Sequence, residues 1–196
     1  MTRRRVVITG LGCITALGET TDQLFSAVCA GKSGISLIDS FDTSGYPVRF
    51  AGEIKQFDVC NYVDKRDSRR MDRFTQFAMG AAITAVKDSG IDFTKEDPYR
   101  MGAIVGTGIG GLNEIEQQHI RLLDKGPDKV SPFCVPRLMA NAACGNIAIQ
   151  FGLRGPNFCV SSACASGNHA IGEAFWNIAS GRSDVQITGS VLTFAS

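Results

Sequence analysis

The chain has 196 residues, 44% of them hydrophobic, with a formal net charge of +1. That length suits one domain with a sizeable core. The near-neutral balance argues against a general nucleic-acid binder, and no apolar run is long enough to cross a bilayer.

In chain order, residues 4–9 read as a buried strand, and Gly10 and Gly12 open a loop. The basic start leads into only Val6-Val7-Ile8 before those glycines, too short for a signal-peptide core, so a cytoplasmic protein is expected. Thr20 and Gln23 fit a capping box ahead of a short helix that Gly31 ends. Residues 32–60 are the least regular part, where Tyr46, Val48 and Phe50 alternate like an edge strand. A strong helix spans about Met71 to Ser89, with Gly90 placed to cap it. Residues 101–105 form a second buried strand, followed by a helix around Leu112–Leu123. Residues 134–151 are nearly all apolar or small and suggest a helix buried on most sides.

Gly155-Pro156 then starts a strand with Phe158 and Val160 on one face, and a helical stripe of Ile171, Ala174, Phe175 and Ile178 is closed by Gly181. Residues 185–188 give a last short strand. Strands alternating with helices indicate an α/β domain with a mixed, mostly parallel sheet flanked by helices.

Seven cysteines (13, 29, 60, 134, 144, 159 and 164) form no CxxC pair, and the only histidines are His119 and His169. Neither a disulfide framework nor a His/Cys metal site is expected, and no cofactor is implied. Cys164 stands apart, because it sits where the strand hands over to the helix among Ala163, Ala165, Ser166 and Gly167. Small neighbours let a substrate approach the sulfur, and a helix start presents free N–H groups and partial positive charge. An ordinary cysteine is only about 3% thiolate at pH 7, and helix N-termini are among the settings that raise that fraction. A buried structural cysteine is the bland alternative. His169 lies beyond one helical turn from Cys164, which favours a structural helix residue over the partner that a cysteine hydrolase would need.

Two further patterns have double readings. Gly106, Gly108 and Gly111 satisfy G-x-G-x-x-G, but Asp124 and Asp128 fall at a helix end and in a loop, not at a strand end where a ribose would meet them. A tight turn that merely needs glycine fits as well. Between Lys65 and Arg73, a helix would align Arg66, Arg69, Arg70 and Arg73 on one face, either awaiting an anion or solvated and paired with Asp67 and Asp72.

Ser162-Ala163-Cys164-Ala165-Ser166-Gly167 resembles the nucleophile segment of the β-ketoacyl-(acyl carrier protein) synthases, condensing enzymes of the thiolase superfamily, where Thr is usual in place of Ser162. The likeness runs from Arg4 through Gly106–Gly111 and Ser131-Pro132-Phe133 to about Gly189, with the type II fatty-acid elongation synthases as the nearest look-alikes. It implies a thiolase-like fold, with residues 1–196 as an N-terminal half and the C-terminal half absent. It implies Cys164 as acyl acceptor, its N–H as one oxyanion donor, Ile109 and Phe133 at the acyl pocket, and Arg66, Arg69 and Arg70 docking the acidic acyl carrier protein. That partner would bring phosphopantetheine-linked acyl and malonyl groups, and the 131–151 segment would lie near a homodimer interface. Two histidines, a lysine and a Phe-containing loop would come from the C-terminal half, so condensation by this chain alone is expected to be undetectable. Where the family usually shows Gly-Gly-x-Glu, this chain reads Gly189-Ser190-Val191-Leu192. A thiolase or polyketide ketosynthase relative, and a catalytically silent carrier-binding or dimerising module, are the alternatives.

Overall fold

A computed structural model describes residues 4–192. Three strands form the central sheet: β3 (Met101–Gly106), β4 (Asn157–Val160) and β5 (Val185–Ser190), after a small hairpin of β1 (Ser36–Leu37) and β2 (Phe50–Ala51). The sheet order is β4-β3-β5 and both pairings are parallel, with Gly106 opposite Val160 on one side and Ser190 on the other. The helices are α1 (Thr21–Cys29), α2 (Lys65–Ser68), α3 (Arg73–Ser89), α4 (Leu112–Lys125), α5 (Cys134–Leu138), α6 (Ala142–Phe151) and α7 (Ser166–Ala179).

Side chains of β3 alternate between two packed layers, as pleating requires. Met101, Ala103 and Val105 join the larger core with Phe74, Phe77 and Met79 of α3 and Ala143, Cys144 and Ile147 of α6. Ile104 points the other way, onto Ala170 and Ala174 of α7. The result is an α/β sandwich with α7 on one face and α6 backed by α3 on the other.

Local signals hold where they are chemical. Asp72 caps α3 by accepting the Phe74 N–H at 3.2 Å, and Gly90 closes the helix at φ +64°. Thr20 accepts the Gln23 N–H at 3.2 Å, but the Gln23 side chain returns to the Glu19 N–H at 2.9 Å, one residue earlier than a capping box.

Three expectations are corrected. Residues 4–9 are not a strand, and Ile8 is 80% exposed. Both edges of β3 are already taken, by β4 and β5. Just after this segment the chain lies against α3, where a Cβ on Gly10 would stand 2.1 Å from the Ala85 carbonyl oxygen and one on Gly12 2.0 Å from that of Ala81. The 134–151 stretch breaks into α5 and α6, because the Leu138 carbonyl turns away to accept the Gly111 N–H at 3.0 Å. It is not buried on most sides either, since Ile149 is 83% exposed. Only Phe50 of the alternating Tyr46, Val48, Phe50 trio enters a strand.

Candidate active site

Between β4 and α7 the chain makes a sharp turn through Ser161–Ala165. Ala163 is the only non-glycine residue with positive φ (+51°) among the described residues. This left-handed geometry costs a residue with a Cβ roughly 1–2 kcal/mol and persists only where neighbours enforce it. Ser166, at the first position of α7 and 2% exposed, is the enforcer. Its hydroxyl accepts the Ser162 N–H at 2.9 Å and donates to the Ala163 carbonyl at 2.6 Å. On the sheet side, a Cβ on Gly106 would come 2.3 Å from the Ser166 carbonyl oxygen, and one on Gly167 2.7 Å from Ser190 Oγ. Two missing side chains therefore let α7 sit down on β3 and β5 and fix the height of the turn.

Cys164 rides on the outside of that turn, exposed, just ahead of α7. Among the described residues no hydrogen bond occupies its backbone N–H. The imidazole of His169 makes no hydrogen bond to the Cys164 sulfur among the described residues. Its Nδ1 lies 2.6 Å from Ser162 Oγ, a hydrogen bond whose direction follows the tautomer.

The glycine loop runs alongside, with Ser161 Oγ donating to the Gly108 carbonyl at 3.3 Å. Gly110 adopts φ +84°, and Gly111 packs on the backbone of α5, where a Cβ would be 2.7 Å from the Arg137 carbonyl oxygen. These glycines serve close backbone packing, and Asp124 and Asp128 sit in α4 and the turn after it. Ile109 is exposed beside this loop.

Phe133 is also exposed, with the Arg70 guanidinium 5.5 Å above its ring. The basic run does not form one helical face. α2 ends at Ser68, a turn intervenes, and α3 starts at Arg73. Arg66, Arg69 and Arg70 stay exposed and make no ion pair among the described residues. Arg73 leaves the group: its guanidinium stacks 5.1 and 4.6 Å from the rings of Phe57 and Phe77 and donates to the Phe57 carbonyl at 3.1 Å. Asp72 is buried, where desolvation pushes its carboxyl up against the opposing pull of the Phe74 N–H and the Arg137 guanidinium.

A profile for the N-terminal domain of β-ketoacyl synthases matches residues 3–196. The chain belongs to that family. This β-ketoacyl synthase domain is 46% identical over 189 residues to the 3-oxoacyl-[acyl-carrier-protein] synthase 2 of Vibrio cholerae, covering 96% of this chain and 46% of that protein. It is 44% identical over 186 residues to the protein of the same name from Staphylococcus aureus strain COL, covering 95% of this chain and 45% of that protein. The chain thus spans about half the length of the curated relatives it matches. Among solved structures it resembles the ishigamide ketosynthase/chain length factor (TM-score 0.89, 30% identity, 99% of this chain and 48% of that one). It also resembles a type II polyketide synthase acyl-carrier protein in complex with its ketosynthase bound to the hexaketide (TM-score 0.86, 27% identity, 99% and 52%). The thiolase-like α/β fold expected from sequence is the fold of these ketosynthases.

Sequence reading of the synthase domain missed two groups. One is Ser166, whose signal was a serine at a helix start, a position where a hydroxyl readily bonds local backbone. The other is a polar cluster tying α4 to the Ser131–Leu138 segment. Arg137 pairs with the buried Glu114 at 2.9 Å, and Gln118 donates to Glu114 at 2.9 Å and accepts the Ser131 N–H at 2.8 Å. Cys144 shows the opposite fate to Cys164. Its sulfur accepts the Val105 N–H at 3.2 Å beneath the sheet, and burial pushes its thiol up to about 11. Among the described residues no cluster of three or more His, Cys, Asp or Glu could hold a metal, and no helix is long and apolar enough to cross a membrane.

Proposed function

We propose that the chain is the N-terminal domain, over residues 1–196, of a β-ketoacyl-acyl carrier protein synthase of fatty acid elongation, with Cys164 as the acyl acceptor. The observation that carries this reading is the exposed Cys164 held on a strained turn at the mouth of α7, with no hydrogen bond to its own N–H among the described residues. In the first half-reaction the Cys164 thiolate attacks the acyl thioester on the carrier's phosphopantetheine. The C–S bond to phosphopantetheine breaks, that thiol leaves protonated, and the acyl group stays on Cys164. The Cys164 N–H suits one donor to the oxyanion that forms on the way. In the second, malonyl-carrier protein loses carbon dioxide and its carbanion displaces Cys164, giving the β-ketoacyl product.

Ile109 and Phe133 are assigned to the acyl pocket, and Arg66, Arg69 and Arg70, which make no ion pair among the described residues, to the acidic carrier protein. The decarboxylating histidines belong to a C-terminal half of similar fold, and the working assembly is a homodimer or a complex with a complementary partner, in the cytoplasm. Identities of 44–46% to proteins named 3-oxoacyl-[acyl-carrier-protein] synthase 2 support the fatty-acid substrate class.

The test is labelling by a limiting dose of iodoacetamide, read by peptide mass spectrometry. Exposure alone predicts equal attack on Cys29, Cys60 and Cys164. Preferential attack at Cys164 supports the enzyme reading, whereas uniform labelling supports a silent carrier-binding module.

A further inference from the structure

We infer that the Ser162–His169 pair is a positioning clamp for Cys164, an inference that rests on Cys164 being the acyl acceptor. The chain enters the turn at Ser162, bends at Ala163 and enters α7 at Ser166. Ser166 fixes the backbone from inside, through the Ser162 N–H and the Ala163 carbonyl. Nothing in those two bonds restrains the outer side of the turn, where the sulfur sits. The 2.6 Å contact from His169 Nδ1 to Ser162 Oγ does so, strapping the first turn of α7 back to the residue where the bend begins. His169 is itself anchored, because its N–H donates to the Ala165 carbonyl at 3.0 Å.

The clamp joins two side chains at the surface, so it can be lost without opening the core. Its loss frees the Ser162–Cys164 segment to sample other orientations, and the sulfur then spends less time over the helix mouth. His169 and Ser162 act through the turn and make no bond to the substrate. Because they act through one shared bond, their removals do not add.

The experiment measures iodoacetamide alkylation rates of individual cysteines in the 196-residue chain, with Cys29 and Cys60 as exposed internal references. The variants are Ser162→Ala, Ser162→Thr, His169→Phe and the Ser162→Ala/His169→Phe double. The expected result is that Ser162→Ala and His169→Phe each slow Cys164 about tenfold against the references, in line with one lost hydrogen bond. The double variant is no slower than either single, and Ser162→Thr, which keeps the hydroxyl, reacts like the wild type. A wild-type Cys164 no faster than Cys29 and Cys60 would overturn the acyl-acceptor reading, and the clamp with it. A fast wild-type Cys164 left unchanged by the single substitutions would overturn the clamp alone. So would additive losses in the double variant, failure of threonine to restore the rate, or new labelling at the buried Cys144, which would report general loosening.

Discussion

Ser166→Ala should be the most informative single substitution, because it removes two hydrogen bonds and almost no volume. The Ser162 N–H loses its partner at a residue that is only 2% exposed, while the Ala163 carbonyl gives up one of two donors and keeps the Ser166 N–H at 3.1 Å. An unsatisfied buried group costs about 1–3 kcal/mol. Ser162 is half-buried, so water recovers part of that, and the low end for its N–H, about 1 kcal/mol, with about 1 kcal/mol net for the second lost hydrogen bond gives a loss of about 2 kcal/mol. The strain at Ala163, roughly 1–2 kcal/mol, then drives the turn to relax. Ser166→Ala should therefore lower unfolding free energy by about 2 kcal/mol in urea, followed by the fluorescence of Trp176 on α7, and also slow Cys164 alkylation against Cys29. Adding Ala163→Gly should return about 1 kcal/mol of stability by removing the strained Cβ. A loss under about 0.5 kcal/mol for Ser166→Ala would refute the idea that these bonds hold the turn.

Gly106→Ala should be more severe, since its Cβ meets the Ser166 backbone at 2.3 Å. A loss beyond about 2 kcal/mol is expected by urea titration, and a neutral result would mean that α7 can lift freely from β3. Cys144, with its thiol held near 11 against an ordinary 9.0, binds its proton more tightly in the folded state. Its contribution to stability is intact below pH 9 and drains as pH rises through 11, worth about 3 kcal/mol in all. Cys144→Ala should flatten that part of the alkaline slope in calorimetry, and an identical slope would contradict the burial argument. Arg69→Glu with Arg70→Glu should weaken acyl carrier protein binding at low salt by at least about tenfold, measured by fluorescence anisotropy, with the deficit shrinking as the Debye length falls from ~10 Å at 0.1 M to ~3 Å at 1 M. Unchanged low-salt affinity would remove these arginines from the docking face.

The elements that the sequence announced by chemistry were legible: the Gly90 cap, the glycine-dense loop, and Cys164 among small residues at a strand-to-helix junction, whereas Asp72, read as a partner of the arginines, turned out to cap α3. What failed depended on tertiary competition. The apolar run at residues 4–9 has strand composition, yet it joins neither outer edge of the sheet, and the chain just after it packs on α3 through Gly10 and Gly12. The helical period after Cys164 was right, but of the expected stripe only Ala174 is fully buried. Ala170, Ala174 and Asn177 are buried, whereas Ile171 and Phe175 are not, because α7 lies so close to the sheet that only small side chains fit beneath it. The basic stripe lost Arg73 to two phenylalanines: Phe77, one turn further along α3, and Phe57, which lies outside the helix and so beyond any helical-wheel reading. The scaffolding role of Ser166 left no periodic trace, since it depends on bonds to residues 162 and 163 that only the bent backbone brings within reach.

The β1–β2 hairpin has a practical use. Its two strands pair with each other and not with the three-stranded sheet, and the connecting stretch around Gly45 is open, with nothing within 4 Å of where a Cβ would be. Exposed tips of this kind accept inserted peptides with small entropic cost. A fluorescent tag or affinity epitope spliced there would travel with the molecule as passive cargo, reporting on it without touching the sulfur-bearing bend.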